Sequence, residues 1–130
     1  YDYGLKLGTA FQIYDDCLDL VGKEDSVGKT LGTDLEKGKL TLPLLNLLET
    51  APSGTKKKLQ QSIKNEQPLD FEGLVGPEAY SDAIESALDT AAQMLTEGRD
   101  NLNCLDSNEY TEGLLEITRY LEGLINKCRK

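Results

Sequence analysis

Between Glu78 and about Leu102 the apolar residues Ala83, Ile84, Ala87, Leu88, Ala91 and Leu95 recur at intervals of three and four. That spacing returns to one side of an α-helix and does not match the alternation of a half-buried strand. Its alanines leave room for a second helix to pack closely. Leu114, Leu115, Ile117, Leu121, Leu124 and Ile125 repeat the pattern in a last helix that begins at Asp106 or Ser107. Upstream, Tyr1 to Gly22 reads as a helix stopped by its glycine. Helix resumes near Leu40, where Leu42, Leu44, Leu45, Leu47 and Leu48 form an apolar segment. Pro43 suits the first turn, which needs no backbone N–H. Thr55 is the expected cap of a short basic helix reaching about Asn65. Residues 23–38 read as a loop or broken helix, and Gln67 to Pro77 as a connection with at most a short helical turn. Five or six helices with no strand signal predict an all-α fold.

At 130 residues the chain suits one domain with a modest core. Two phenylalanines and no tryptophan make that core aliphatic. A net charge of −9 argues against nucleic acid or an anionic membrane as partner, since both require basic surface. It also makes direct capture of an anionic substrate unfavourable unless cations bridge the two. There is no histidine and no CxxC pair, which excludes zinc sites and histidine-based triads from this chain. Cys17, Cys104 and Cys128 are expected to be reduced, cytoplasmic thiols. No apolar run approaches the length that spans a bilayer, and no signal peptide is visible.

The chemistry concentrates between Gly8 and Pro43. On a wheel of about 100° per residue with Asp15 at zero, Asp19 falls near 40° and Asp16 near 100°. Gly8, Phe11 and Gln12 share that side, while Ala10, Ile13, Cys17, Leu20 and Val21 fall opposite and form the expected core face. Three acids on adjacent turns repel one another, so the plain reading is a solvated acidic face. An aromatic and an amide on the same face, followed by a basic glycine-rich segment, favour a metal instead. An all-oxygen cluster suits Mg²⁺, which keeps several waters and takes a few carboxylates plus substrate phosphates. Lys29 and Lys39 each follow a glycine, and Asp34 lies between them. A lysine in such a place is a mobile point charge suited to a diphosphate oxygen.

GTAFQIYDDCLD, the Gly28-Lys29 pair and GTDLEKGKLTLP, with the spacing between them, resemble the second aspartate-rich region of trans-type polyprenyl diphosphate synthases. A bare DDxxD is weak evidence; the extended string is specific. The resemblance is dense over residues 4–45. It implies a helical bundle of the isoprenoid synthase type. Residues 1–130 would be the C-terminal five or six helices of a single polyprenyl synthase domain, and the family assembles as homodimers. It also implies prenyl transfer: an allylic diphosphate is elongated with isopentenyl diphosphate. By the same resemblance, Asp15, Asp16 and Asp19 hold Mg²⁺, Asp34 supports that cluster, Lys29 contacts the allylic diphosphate, and Lys39 takes either role. Phe11 and Gln12 would lie beside the allylic chain.

DDxxD occurs once in these residues, so the chain is expected to hold half of the metal clamp and to be inactive alone. Helices taken from a larger bundle are expected to expose apolar faces. Two other readings remain: a non-catalytic partner subunit of a heteromeric synthase, against which the intact DDxxD counts, and a class I terpene cyclase, whose second metal motif is of a different Asn/Ser/Glu type. A P-loop in GKEDSVGKT fails because five residues separate Gly22 from Gly28 where four are needed, and no strand precedes it. An EF-hand fails for want of alternating ligands and the loop glycine. Lys56, Lys57 and Lys58 read as solvated helix surface, and the terminal Lys127, Arg129 and Lys130 as a fraying basic tail.

Overall fold

A computed structural model of the chain describes residues 1–21, 39–65 and 71–129. Among these residues there are six α-helices and no strand: α1 (Asp2–Val21), α2 (Leu42–Thr50), α3 (Ser53–Lys64), α4 (Phe71–Val75), α5 (Pro77–Asn101) and α6 (Glu109–Cys128). A 3₁₀ turn, Leu102–Cys104, follows α5. The all-α expectation is met.

The chain divides into two compact units, Tyr1–Asp15 with Leu88–Lys130, and Asp16–Ala87. In the first, Ala10, Ile13, Leu88, Ala91, Leu95, Leu102, Leu121 and Ile125 are buried. Gly98 lets α1 approach closely: a Cβ at that position would lie 3.3 Å from the Lys6 Cβ and 3.7 Å from a Tyr3 ring carbon. The Tyr3 hydroxyl donates to the Leu114 carbonyl at 2.8 Å and lies 3.1 Å from the hydroxyl of Thr118, which is fully buried. This small polar knot satisfies groups that burial alone would penalise. Ion pairs join Lys6 to Glu97, Arg99 to Glu122, and Arg129 to Asp89 at 2.8 Å. The last of these corrects the fraying tail: Arg129 is tied back to α5.

The Lys6 ammonium holds the Glu97 carboxyl below its ordinary value of 4.5, first by hydrogen bonding and then by charge, with Gln93 assisting. A depressed folded pKa means that this pair's contribution is complete above about pH 4.5 and is lost as pH falls through the lowered value. Thermal melts of the chain and of Glu97→Gln are therefore expected to differ by a constant amount between pH 7 and 5. The gap closes on further acidification.

In the second unit Leu44, Leu47, Leu59, Phe71 and Ala83 form the core, with Leu48, Ile63, Leu74 and Tyr80 packed against it. Pro43 lies in the first turn of α2, as expected. Asn46 donates its amide to the Ala83 carbonyl at 3.1 Å and joins α2 to α5. Gly76 adopts φ 91°, which ends α4 and lets Pro77 open α5.

Three local expectations need correction. Thr55 does not cap α3, which begins at Ser53 with Pro52 before it, because the proline's extended backbone already starts the helix. The last helix begins at Glu109, not at Asp106 or Ser107. Asn108 caps it, accepting from the Tyr110 and Thr111 amides at 2.9 and 3.0 Å. Asn108→Ala is expected to lower stability by about 1 kcal/mol in urea denaturation. Finally, the buried stripe of α6 is Thr111, Thr118, Leu121 and Ile125, whereas Ile117 is half exposed. Threonine belongs there because each hydroxyl finds a carbonyl, Thr118 on Leu114 and Thr111 on Asp106.

Candidate functional site

The α1 helix runs without a break through Phe11, Gln12, Asp15, Asp16 and Asp19. Ala10, Ile13 and Cys17 are buried on its core face, and Gln12 and Phe11 are exposed opposite. Leu20 and Val21 are only half-buried. Asp15 and Asp16 are half-buried, and Asp19 is 4% exposed. The expected open acidic face is therefore graded, and its last carboxylate is enclosed. A helical wheel treats every turn alike, but tertiary contacts reach the turn that carries Asp19 and Leu20. Tyr80 reaches it from α5, its hydroxyl 3.4 Å from the Leu20 carbonyl. None of the three aspartates lacks an interaction partner.

Asp15 and Asp19 stand one turn apart, whereas Asp16 is turned about 100° from Asp15. Among the described residues no three Asp, Glu, His or Cys side chains are grouped so as to hold a metal ion. The donor chemistry fits Mg²⁺ in the partial sense: one or two carboxylates of a helix, with waters and substrate oxygens completing an octahedron. Lys39 is exposed just before α2. Lys29, Asp34 and the loop reading of residues 23–38 lie outside the described residues.

Within the first unit, Phe11 forms one wall of an apolar groove of about 350 Å³ with Leu7, Gly8, Ile117, Tyr120, Leu121 and Leu124. Its ring is 51% exposed and tilted 49° to that of Tyr14, with centroids 6.3 Å apart. The open space at Gly8 accords with its place on this side of the helix. Sequence reasoning assigned Ile117, Leu121 and Leu124 to a core stripe and passed over Tyr120. Their helical spacing was visible, but nothing in it marked Phe11 as their neighbour.

The polyprenyl synthetase family model matches residues 1–74, more than half of the chain and the whole of α1. The chain belongs to the polyprenyl synthetase family. The chain is 33% identical over 121 residues to a short chain isoprenyl diphosphate synthase of Methanothermobacter thermautotrophicus, covering 92% of itself and 37% of that protein. It is 34% identical to a prenyl transferase of Synechocystis, covering 97% of itself and 38% of the relative. Its structure is similar to that of geranylgeranyl pyrophosphate synthetase from Pyrococcus horikoshii, with a TM-score of 0.73 at 26% identity, over 92% of this chain and 37% of that one. The chain thus spans just over a third of the length of these relatives. Among its described residues no helix is long and apolar enough to cross a membrane.

Proposed function

We propose that the protein to which these residues belong is a prenyltransferase that elongates an allylic diphosphate with isopentenyl diphosphate. The observation that carries this reading is the continuous α1 helix bearing Phe11, Gln12 and the Asp15-Asp16-x-x-Asp19 set inside the matched family segment. Asp15, Asp16 and Asp19 would hold Mg²⁺ through one or two carboxylates at a time, with water and substrate oxygens completing the shell and Asp34 in support. When bound there, the cation would supply electrostatic stabilisation of the charge that develops on the leaving diphosphate. Lys29, and in second place Lys39, place a point charge at the diphosphate oxygens. Phe11 and Gln12 lie along the allylic chain and exclude water from the carbon that becomes cationic as the carbon–oxygen bond breaks. The double bond of isopentenyl diphosphate forms the new carbon–carbon bond, and loss of a proton restores an alkene.

In this reading the 130 residues hold one side of the diphosphate clamp and do not turn over substrate alone. The complete protein works in the cytoplasm as a homo-oligomer. Incubating the complete gene product with Mg²⁺, an allylic diphosphate and labelled isopentenyl diphosphate is expected to yield longer labelled prenyl chains. Release of diphosphate with a cyclic hydrocarbon would establish a cyclase instead. Absence of turnover would favour a partner subunit.

A further inference from the structure

Leu7, Phe11 and Asp15 stand four residues apart on α1, so they occupy successive turns of one side of the helix, about 6 Å from each to the next. All three belong to the first unit, as does the whole of α6. On its α1 side the apolar groove of about 350 Å³ runs from Phe11 past Gly8 to Leu7, away from Asp15. Gly8 is exposed, and a Cβ added there would meet no atom within 4 Å, so the groove is open along this stretch. Ile117 and Tyr120, 51% and 70% exposed, form the opposite wall beside the buried Leu121. The hydrogen bond from Tyr3 to the Leu114 carbonyl ties α1 to α6 one turn before Ile117, so both walls are held in place. The groove is apolar throughout, in a chain whose net charge is −9. A polar or charged group would lose its water there without compensation, whereas hydrocarbon gains by entering. The volume falls within the range of small-molecule sites, about 300–1,000 Å³. It holds about two isoprene units, given that a cavity of about 150 Å³ takes a benzene ring.

We propose that the α1–α6 groove receives the hydrocarbon tail of the allylic substrate, and that Gly8 and Ile117 are specificity-determining residues for its length. This deepens the prenyl-transfer reading above and rests on it. The argument for this occupant is the order of groups along one side of α1: a carboxylate at Asp15, an aromatic at Phe11, then open apolar space at Gly8 and Leu7. An allylic diphosphate carries its charged end, its reacting carbon and its tail in the same order. Each new unit is inserted at the diphosphate end, so elongation pushes the tail from Phe11 toward Leu7.

The test measures kcat/KM in the complete gene product with Mg²⁺, labelled isopentenyl diphosphate and allylic diphosphates of one, two and three isoprene units. Gly8→Leu fills the groove from the α1 side, and Ile117→Asp sets a charge on the α6 wall that the tail would have to strip of water. Both are expected to lower kcat/KM for the three-unit substrate relative to the one-unit substrate about ten- to a hundredfold, the scale of a small change in a hydrophobic pocket. Tyr110→Asp, at an exposed position of α6 outside the groove, is expected to leave that ratio as in the parent. Leucine suits a helix better than glycine, and Ile117 is half exposed, so both variants are expected to fold, which thermal melts check. An unchanged ratio in either variant overturns the inference and leaves the proposed function standing. A lowered melting temperature with an unchanged ratio also overturns it, since another segment of the protein would then fill the groove. A parent that elongates only the one-unit substrate overturns it as well, because no tail would need the groove. Failure to elongate any of the three overturns the functional reading, and this inference with it.

Discussion

Replacing Asp15 with Asn in the complete gene product is expected to lower the rate of prenyl transfer by about a hundredfold or more, the scale seen when a preorganised group opposite a developing charge is removed. Asparagine keeps the shape of the side chain and one oxygen but loses the negative charge that holds a divalent cation. Asp15 lies half-buried in the interior of α1, three turns or more from its start. The exchange therefore leaves the helix intact, and the circular dichroism spectrum should not change. Lys29→Ala should reduce the rate through a different route, by weakening capture of the allylic diphosphate. Full activity in both variants would remove the basis for assigning the site to this helix. Loss of activity with loss of helicity in Asp15→Asn would show a structural role.

The largest stability effect is expected at Leu88. Its side chain is fully buried, on the α5 helix whose alanines bring neighbouring helices close. Leu88→Ala should cost about 2–5 kcal/mol, the transfer of the lost methyl groups plus the cavity they leave. The surrounding alanines, Ala87 and Ala91, have no side-chain freedom with which to fill the gap. Urea denaturation of the chain measures the loss. Leu45→Ala is the matched control, because Leu45 is exposed and its truncation should change stability by less than about 1 kcal/mol. Equal effects at the two positions would mean that the burial pattern of α5 is not the source of stability.

The same contrast shows what could be read from residues alone. Every apolar position of the repeat in α5, from Ala83 to Leu95, is buried, because a strong period with one dominant face leaves a helix only one way to turn. Pro43 opened its helix as expected, since its fixed φ and missing N–H suit the first turn wherever it occurs. The long motif around Asp15 and Asp16 identified the family, and the family match runs through it. Those features depend on neighbours within about a turn of helix or on an ordered string of residue types.

What the chain alone did not determine depends on which partner covers which face. The α6 helix carries two stripes, and tertiary packing buried the one with Thr111 and Thr118, whose hydroxyls could be paired, while Ile117 and Tyr120 turned outward beside Phe11. Asp19 shares a wheel sector with Asp15 yet is buried, because enclosure depends on what the rest of the fold lays over a turn and not on its angle. The last helix starts at Glu109 and not at Asp106 or Ser107, since the start is set by Asn108, whose extended backbone lets its side chain reach the first free amides. Periodicity sorts residues onto faces; the energies that decide between two usable faces come from contacts made across the chain.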